Sequence, residues 1–437
     1  MAQHLEVVCG IDVGSTNTKV VALDASGQLV FRASARTPRR ADGLLDAADL
    51  RSAVEAMLRA MASGGYRAAA LASAGIGEDG MLVDASLRPL CPVLPWYHPD
   101  RHAVFERLAP ELPDDADLSV ETDPSRTVVG WRWARERTAA PAASWCALTD
   151  WLPALWSGHP FLSDTLAART AAWRPRSGTW AEDRVRASLG TPELLPPVLR
   201  AGEIVGPVTA GHLDDVVTPD AVVVAGGHDH PVGGWAVQLL SPGAVVDSMG
   251  TAEVVVTQTG TELRRTGTLD VGPAIGGPGT CVLAVQELAR NIEWASEDPE
   301  VAKELRRLLT GEAEPTGAIH EPGFVPSGRD GPSPMFSGTA PRSPRGRANL
   351  VLGTLARKAS ALIEEISATA PGEPAVYATG GWSRSLGWMR VKELVTRRTF
   401  RTITEPEVTA VAAALLAARA IGWELHATDA LRDSAPN

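Results

Sequence analysis

Short runs of β-branched and small apolar residues recur along the chain, and each ends on a polar or glycine-rich turn. Val7–Val13 (VVCGIDV) reads as a buried strand, and Lys19–Leu23 reads as the strand returning beside it. Gln28–Arg36 reads as a third strand, entered through Ala25-Ser26-Gly27. In Ala47–Met61, Leu50, Val54, Met57, Leu58 and Met61 fall at helical spacing, with Asp46 or Asp49 as N-cap, and Ala68–Gly75 returns to strand. Further on, Val205–Val208 and Ala221–Ala225 read as strands and Val232–Leu240 as a short helix. Ala244–Thr257 (AVVDSMGTAEVVVT) reads as a second hairpin, and Thr268–Gln286 as two strands around Gly276-Gly277-Pro278-Gly279. Ala348–Ile366 carries Leu352, Leu355, Ala359, Leu362, Ile363 and Ile366 on one helical face. Ala375–Ala378 is a short strand, and Val408–Ile421 is a closing apolar helix stopped by Gly422.

The first hairpin turn is chemically dense. Gly14 tolerates positive φ and close approach, so the turn can aim several backbone N–H groups at one point. Ser15 and Thr16 add hydroxyls, Lys19 adds a cation, and Asp12 can hold a divalent metal directly or through water. These features suit a nucleotide's phosphates, although an ordinary hairpin with a polar tip has the same local pattern. The second hairpin separates the two readings: Asp247, Gly250 and Thr251 sit in the same places relative to their strands. Two such hairpins imply an α/β chain of two similar domains, expected at residues 1–220 and 221–437, with a cleft between them.

Composition narrows the class. The 437 residues are 44% hydrophobic and 21% charged, as in ordinary globular proteins, and allow two or three domains. A net charge of −11 argues against a nucleic-acid surface or a polybasic membrane patch. Cys9, Cys91, Cys146 and Cys281 are scattered, with no metal-binding spacing, and read as core residues. Without a leader pattern or an apolar run long enough to span a membrane, the expected location is the cytoplasm.

Several polar segments stand out. Gly75-Ile76-Gly77-Glu78-Asp79-Gly80 is formally a dinucleotide fingerprint. That fold needs a helix to begin inside the motif, and Met81–Asp84 continues as strand, so the glycines instead let Glu78 and Asp79 project from a strand end. Trp96 either stacks on a ring or packs under its loop, and Trp131, Trp133, Trp145, Trp151, Trp156, Trp173 and Trp180 read as core. Gly226-Gly227-His228-Asp229-His230-Pro231 follows an apolar run. Asp229 either reaches out from the strand end as a general base or caps the following helix. The paired Gly380 and Gly381, at the end of a strand, permit the flat approach of an adenine or ribose. Gly311–Arg347, rich in Pro, Gly and Ser, reads as a long surface excursion, mobile in part.

In this order the segments resemble the FGGY carbohydrate kinases, members of the actin-like ATPase superfamily with ribonuclease-H-like domains, from about Val7 to Gly422. Asp12–Lys19 is similar to the family's first phosphate motif, Ser248–Ala252 to its second, Thr379–Ser385 to its adenosine motif and Gly226–Asp229 to its catalytic-aspartate stretch. Pro92–Arg101 and Leu195–Val208 add smaller echoes. Departures include His98 in place of an Asp, Glu78-Asp79 in the substrate region, and a half-present segment at Phe324–Arg329. The resemblance implies ATP-dependent phosphorylation of a hydroxyl on a small sugar, polyol or related carbohydrate. Asp229 would be the base, Asp12 and Asp247 would hold Mg2+, and Gly14, Ser15, Thr16, Lys19, Gly250, Thr251, Gly380, Gly381 and Ser385 would hold ATP. Glu78, Asp79, Trp96, His228 and His230 would bind the carbohydrate, and two pocket carboxylates favour a neutral one. No nucleic-acid or membrane partner is expected, and a homodimer is compatible with the pattern. An actin-like or Hsp70-like nucleotide switch, and a degenerate kinase acting as a sugar sensor, remain the alternatives.

Overall fold

The structure is a computed structural model that describes residues 4–328, 331–370 and 372–431. The chain forms two units. The first runs to Leu239 and includes Gly260–Cys281 and Glu407–Leu431; the second comprises Leu240–Thr259 and Val282–Pro406. The boundary is therefore not at residue 220, and the units are not sequence halves. The strand and helix around Asp229 are built into the first unit, and the chain returns there for its long alanine-rich helix.

The first unit is organised on a six-stranded sheet. Its strands are β1 (Leu5–Val13), β2 (Asn17–Asp24), β3 (Leu29–Arg36), β4 (Tyr66–Gly75), β5 (Ile204–Pro207) and β6 (Val217–His228), in the order β5-β6-β4-β1-β2-β3. The β1–β2 and β2–β3 pairs are antiparallel hairpins, whereas β4 lies parallel to both β1 and β6. The runs of Val, Ile, Ala and Leu in β1, β4 and β6 are buried, as expected of strands covered on both faces. The Ala47–Ser63 helix packs its Leu50, Val54, Leu58 and Met61 stripe into this core. Asp46 caps it, accepting from the Ala48 and Asp49 amides.

The Val408–Ala420 helix packs against β1. Its alanines allow backbone-to-backbone contact, and Gly10 of β1 is the complementary surface. A Cβ there would lie 1.8 Å from the Ala410 carbonyl oxygen and 2.5 Å from the Ala414 nitrogen. The tryptophans are core, as expected: Trp131, Trp133, Trp145, Trp151 and Trp156 are each at most 2% exposed. The four cysteines are buried free thiols, and burial alone pushes Cys9 up to about 12.

The second unit repeats the theme. Strands β7 (Val245–Met249), β8 (Ala252–Thr259), β9 (Thr280–Glu287, entering the unit at Val282), β10 (Val376–Thr379) and β11 (Phe400–Thr402) run in the order β9-β8-β7-β10-β11. An antiparallel β7–β8 hairpin again carries a parallel strand, β10, on its first member, as β1–β2 carries β4. The internal duplication read from the two turns is thus present in the pairing. The Pro344–Ser367 helix, capped by Ser343, presents buried Leu352, Leu355, Ala359, Ile363 and Ile366. The Gly311–Arg347 excursion holds one 3-10 turn, Gly317–His320, and two two-residue strands, Phe324–Val325 and Met335–Phe336. The Phe324 and Phe336 rings pack against Trp294, while Arg329 lies outside the described residues. Among the described residues no helix is long and apolar enough to cross a membrane.

Substituting Gly10 by Ala must push the 408–420 helix off the sheet. The expected cost is on the order of 1–3 kcal/mol of unfolding free energy, read by urea denaturation of the purified chain. An unchanged midpoint would show that this contact does not set the spacing.

Candidate functional site

Register brings three segments of the first unit to one place. Val13 of β1 pairs with Gly75 of β4, and Gly75 pairs with His228 of β6. The polar turn after β1, the Ile76–Asp79 segment and the His228–Asp229 step therefore leave the sheet side by side, at the carboxyl ends of three adjacent parallel strands. In open α/β sheets this is where ligands bind. Glycine makes the approach of β6 to its neighbours feasible. A Cβ on Gly226 would lie 1.8 Å from the Ser73 oxygen. At Gly227, whose φ is +151°, it would lie 2.0 Å from Thr165 Oγ1. Chain continuing as strand Gly80–Val83 rather than helix is at odds with a dinucleotide fingerprint at Gly75–Gly80.

The first turn is braced from beneath. Thr37 Oγ1 donates to the Gly14 carbonyl at 2.6 Å and contacts Thr18 Oγ1 at 2.9 Å, while Arg39 donates to the Ser15 carbonyl and lies over the Tyr97 ring. Ser15 is half-buried and Thr16 exposed. Lys19 Nζ lies 3.0 Å from Asp12 Oδ2 and 3.0 Å from Glu407 Oε2, and the two carboxylates raise its pKa. Asp12 is itself raised to about 6 by burial, against the pull of Lys19, with Asp229 and Glu407 adding to the rise. Two carboxylates, Asp12 and Glu407, thus share one ammonium, and the charge of Asp229 adds to the negative balance at Asp12. A hard divalent cation on oxygen ligands would redress that imbalance, so the donor set fits Mg2+ at Asp12.

Asp229 is the first residue of the Asp229–Gln238 helix, and His228 occupies the N-cap position. Its side chain is 28% exposed, accessible to a small molecule rather than sealed. His228 Nε2 lies 3.1 Å and His230 Nε2 3.7 Å from Asp229 Oδ1, and the two imidazoles meet edge to face. Burial holds His228 neutral, well below the usual histidine range. Its buried Nδ1 has no hydrogen-bond partner, so the tautomer protonated on Nε2, facing Asp229, satisfies the geometry. The His228 amide donates to Thr165 Oγ1 at 3.0 Å, fixing the step between strand and helix.

Glu78 and Asp79 do come to this end of the sheet, but not as open pocket carboxylates. Glu78 is 4% exposed and Asp79 1%. Glu78 Oε1 accepts from Arg169 at 2.8 and 2.9 Å, and Arg169 also donates to Asp270, to which Arg126 donates at 3.2 Å. Asp79 faces Arg101 at 3.5 Å and is raised to about 7 by burial. Glu78 and Asp79 therefore do not favour a neutral substrate as two pocket carboxylates would, because arginines already pair with both. Arg101 itself clips Leu94, Pro95, Ser125 and Arg126 through their carbonyls. Trp96 is half-buried, packs on the core and meets Tyr97 edge to face.

In the second unit, Gly250, Thr251, Gly380 and Gly381 are all exposed, at turns that follow the adjacent parallel strands β7 and β10. Gly380 has φ +85°, and a Cβ on it would lie 2.4 Å from the Met249 oxygen, so only glycine lets the two turns lie together. Two expectations change here. Asp247 is fully buried and ion-paired with Lys392, which leaves it no access to a solvated metal. Ser385 is the N-cap of the Leu386–Thr396 helix: its hydroxyl accepts from the Trp388 amide and donates to Leu309, so it is committed to the fold. Among the described residues no group of three or more metal-ligating side chains occurs.

Glu407, Arg169, Arg126, Asp270, Glu253 and Lys392 were not singled out from the sequence. Only Glu407 had a readable signal, an acid immediately before an apolar helix. Replacing Glu407 by Gln removes one of the two carboxylates holding Lys19 charged, so its pKa falls and more free amine is present. Acetylation of Lys19 at pH 9, followed by mass spectrometry, is expected to speed up by about threefold or more. Unchanged reactivity would contradict the pairing.

Known proteins share this chain's sequence pattern and fold. The sequence model of the FGGY family of carbohydrate kinases, N-terminal domain, matches residues 7–234. A xylulose kinase of Streptomyces rubiginosus is 25% identical over 455 aligned positions, covering 98% of this chain and 90% of that protein. One from Streptomyces coelicolor is 28% identical over 258, covering 56% of the chain and 53% of the relative, so the chain spans about half the length of that protein in the alignment. Among solved structures, the xylulose kinase of Rhodospirillum rubrum superposes with a TM-score of 0.83 at 21% identity, covering 99% and 94% of the two chains, which is a likeness of fold. With the matched model spanning more than half its length, the chain belongs to the FGGY family of carbohydrate kinases.

Proposed function

We propose that this chain transfers the terminal phosphoryl group of Mg-ATP to a hydroxyl of a small ketose or polyol. The observation that carries the reading is the convergence, in one unit, of the Asp12–Lys19 turn and Asp229 at adjacent parallel strand ends. Phosphoryl transfer asks a protein mainly for positioning and charge stabilisation, which is what such an arrangement offers.

Asp229 is the general base. Its partly exposed carboxylate accepts the proton of the attacking hydroxyl. Neutral His228, with the amide of His230 donating at 2.7 Å, holds Asp229 Oδ1 in place. Lys19, kept cationic by Asp12 and Glu407, offsets negative charge that develops on the phosphoryl oxygens. Ser15, Thr16 and the backbone of their turn hold phosphates. In the second unit, the exposed Gly250–Thr251 and Gly380–Gly381 turns are the ones assigned to ATP. When bound at Asp12, Mg2+ supplies Lewis-acid neutralisation of phosphate charge. Glu78 and Asp79, held by Arg169 and Arg101, shape the carbohydrate side, and His230 and Trp96 are further contacts there. Xylulose kinases among the relatives of this chain support a ketose as first candidate.

ADP release with Mg-ATP, measured against ketoses, alditols and sugar acids with D-xylulose first, tests the reading. One compound should stimulate release strongly, and Asp229→Ala should lower that turnover by about 10³-fold or more while nucleotide still binds. Stimulated turnover that survives the substitution would remove Asp229 as the base. A silent panel with ATP bound would favour a carbohydrate sensor.

A further inference from the structure

A buried charge cluster in the second unit has no role in the reaction as described above. Lys392, on the Leu386–Thr396 helix, is 0% exposed, as are its partners Asp247 and Glu253. Its ammonium donates to Asp247 Oδ2 and to Glu253 Oε1, and lies 3.6 Å from Met249 Sδ. The two carboxylates stand on opposite strands of one hairpin, Asp247 on β7 and Glu253 on β8, where Glu253 pairs with Met249. Gly250 and Thr251 are the turn between them. Lys392 therefore clamps both legs of that turn at its base.

The same helix grips the hairpin at a second point, because Trp388 Nε1 donates to Met249 Sδ at 3.1 Å. The helix begins at Ser385, directly after the turn that carries Gly380 and Gly381, and Gly380 rests against the Met249 carbonyl. Glu253 is fixed from its other side, since Gln286 Nε2 donates to Glu253 Oε2 and to the Leu355 carbonyl. Sealed from water, one ammonium against two carboxylates leaves an excess negative charge. Burial and the neighbouring Glu253 push Asp247 well above the ordinary carboxylate range. A cluster of this kind is commonly no more stabilising than apolar side chains of the same volume. Its placement under a turn points to geometry as its contribution.

We propose that Lys392 is a positioning residue for the nucleotide, held by Asp247 and Glu253 and fixing the Gly250–Thr251 turn relative to the Gly380–Gly381 turn. This rests on the assignment of those turns to ATP. Lys392 touches no substrate; it acts through the hairpin.

Calorimetric titration of the full chain with Mg2+ and a non-hydrolysable ATP analogue, and separately with D-xylulose, tests the proposal. Lys392→Met should weaken nucleotide binding about tenfold or more and leave D-xylulose binding within about twofold, a split that general loosening of the fold would not produce. Glu253→Gln should shift nucleotide binding the same way, and carries the test if Lys392→Met does not fold. Asp247→Asn, which keeps the side-chain shape but removes one clamp carboxylate, should weaken nucleotide binding by no more than about tenfold. A folded Lys392→Met or Glu253→Gln chain with unchanged nucleotide affinity would overturn the clamp. A hundredfold loss of metal-dependent nucleotide binding in Asp247→Asn would make Asp247 a metal ligand instead. A parent chain that binds no nucleotide would overturn the kinase reading itself, and with it the clamp.

Discussion

The site depends on parallel strand register. Because Val13, Gly75 and His228 fall in one row across β1, β4 and β6, three turns far apart in sequence leave the sheet together. A shift of one residue in either pairing would turn Asp12 or the His228–Asp229 step to the opposite face, since side chains alternate along a strand. The constraints that hold the register are steric. Gly10 admits the 408–420 helix against β1, and Gly226 and Gly227 admit β6 against Ser73 and Thr165. Once those approaches are fixed, the local chemistry needs only the residues at the strand ends.

Charge balance is the second organising constraint. Carboxylates at the site in the first unit meet cations: Asp12 and Glu407 share Lys19, Glu78 and Asp270 share Arg169, and Asp79 faces Arg101. The second unit applies the same rule with Lys392 between Asp247 and Glu253. The pairings keep desolvated groups in defined positions at a site where a misplaced charge would be costly. Asp229 differs in having His228 and His230 as its ion-pair partners and in remaining partly exposed, as a proton acceptor for an incoming hydroxyl should.

Many of the strands, the duplicated hairpins and the turns that carry Asp12, Asp229 and Gly380 were legible because local pattern determines them. The apolar runs and glycine pairs are short-range signals. What sequence could not show was partner choice across the fold. Lys392 lies in a helix where a lysine is ordinarily solvated, and Glu253 interrupts a valine strand without any mark of its partner. Asp247 matched Asp12 in local pattern, yet only tertiary packing separates a residue 6% exposed beside a turn from one sealed under it. Likewise Glu78 and Asp79 read as pocket carboxylates until Arg169 and Arg101, about 90 and 20 residues away in sequence, arrive beside them. The boundary at 220 failed for a related reason: the closing helix returns to the first unit, a long-range event with no local signal.

A double-mutant cycle on Asp12 and Asp229 tests the central claim most directly. Turnover of the best carbohydrate substrate would be measured for Asp12→Asn, Asp229→Asn and the double variant. If both carboxylates serve one reacting centre, the double variant should be little worse than the poorer single one, giving a coupling of about 1.4 kcal/mol or more. Losses that simply multiply would place the two residues in independent roles and contradict the convergence of the strand ends on one site.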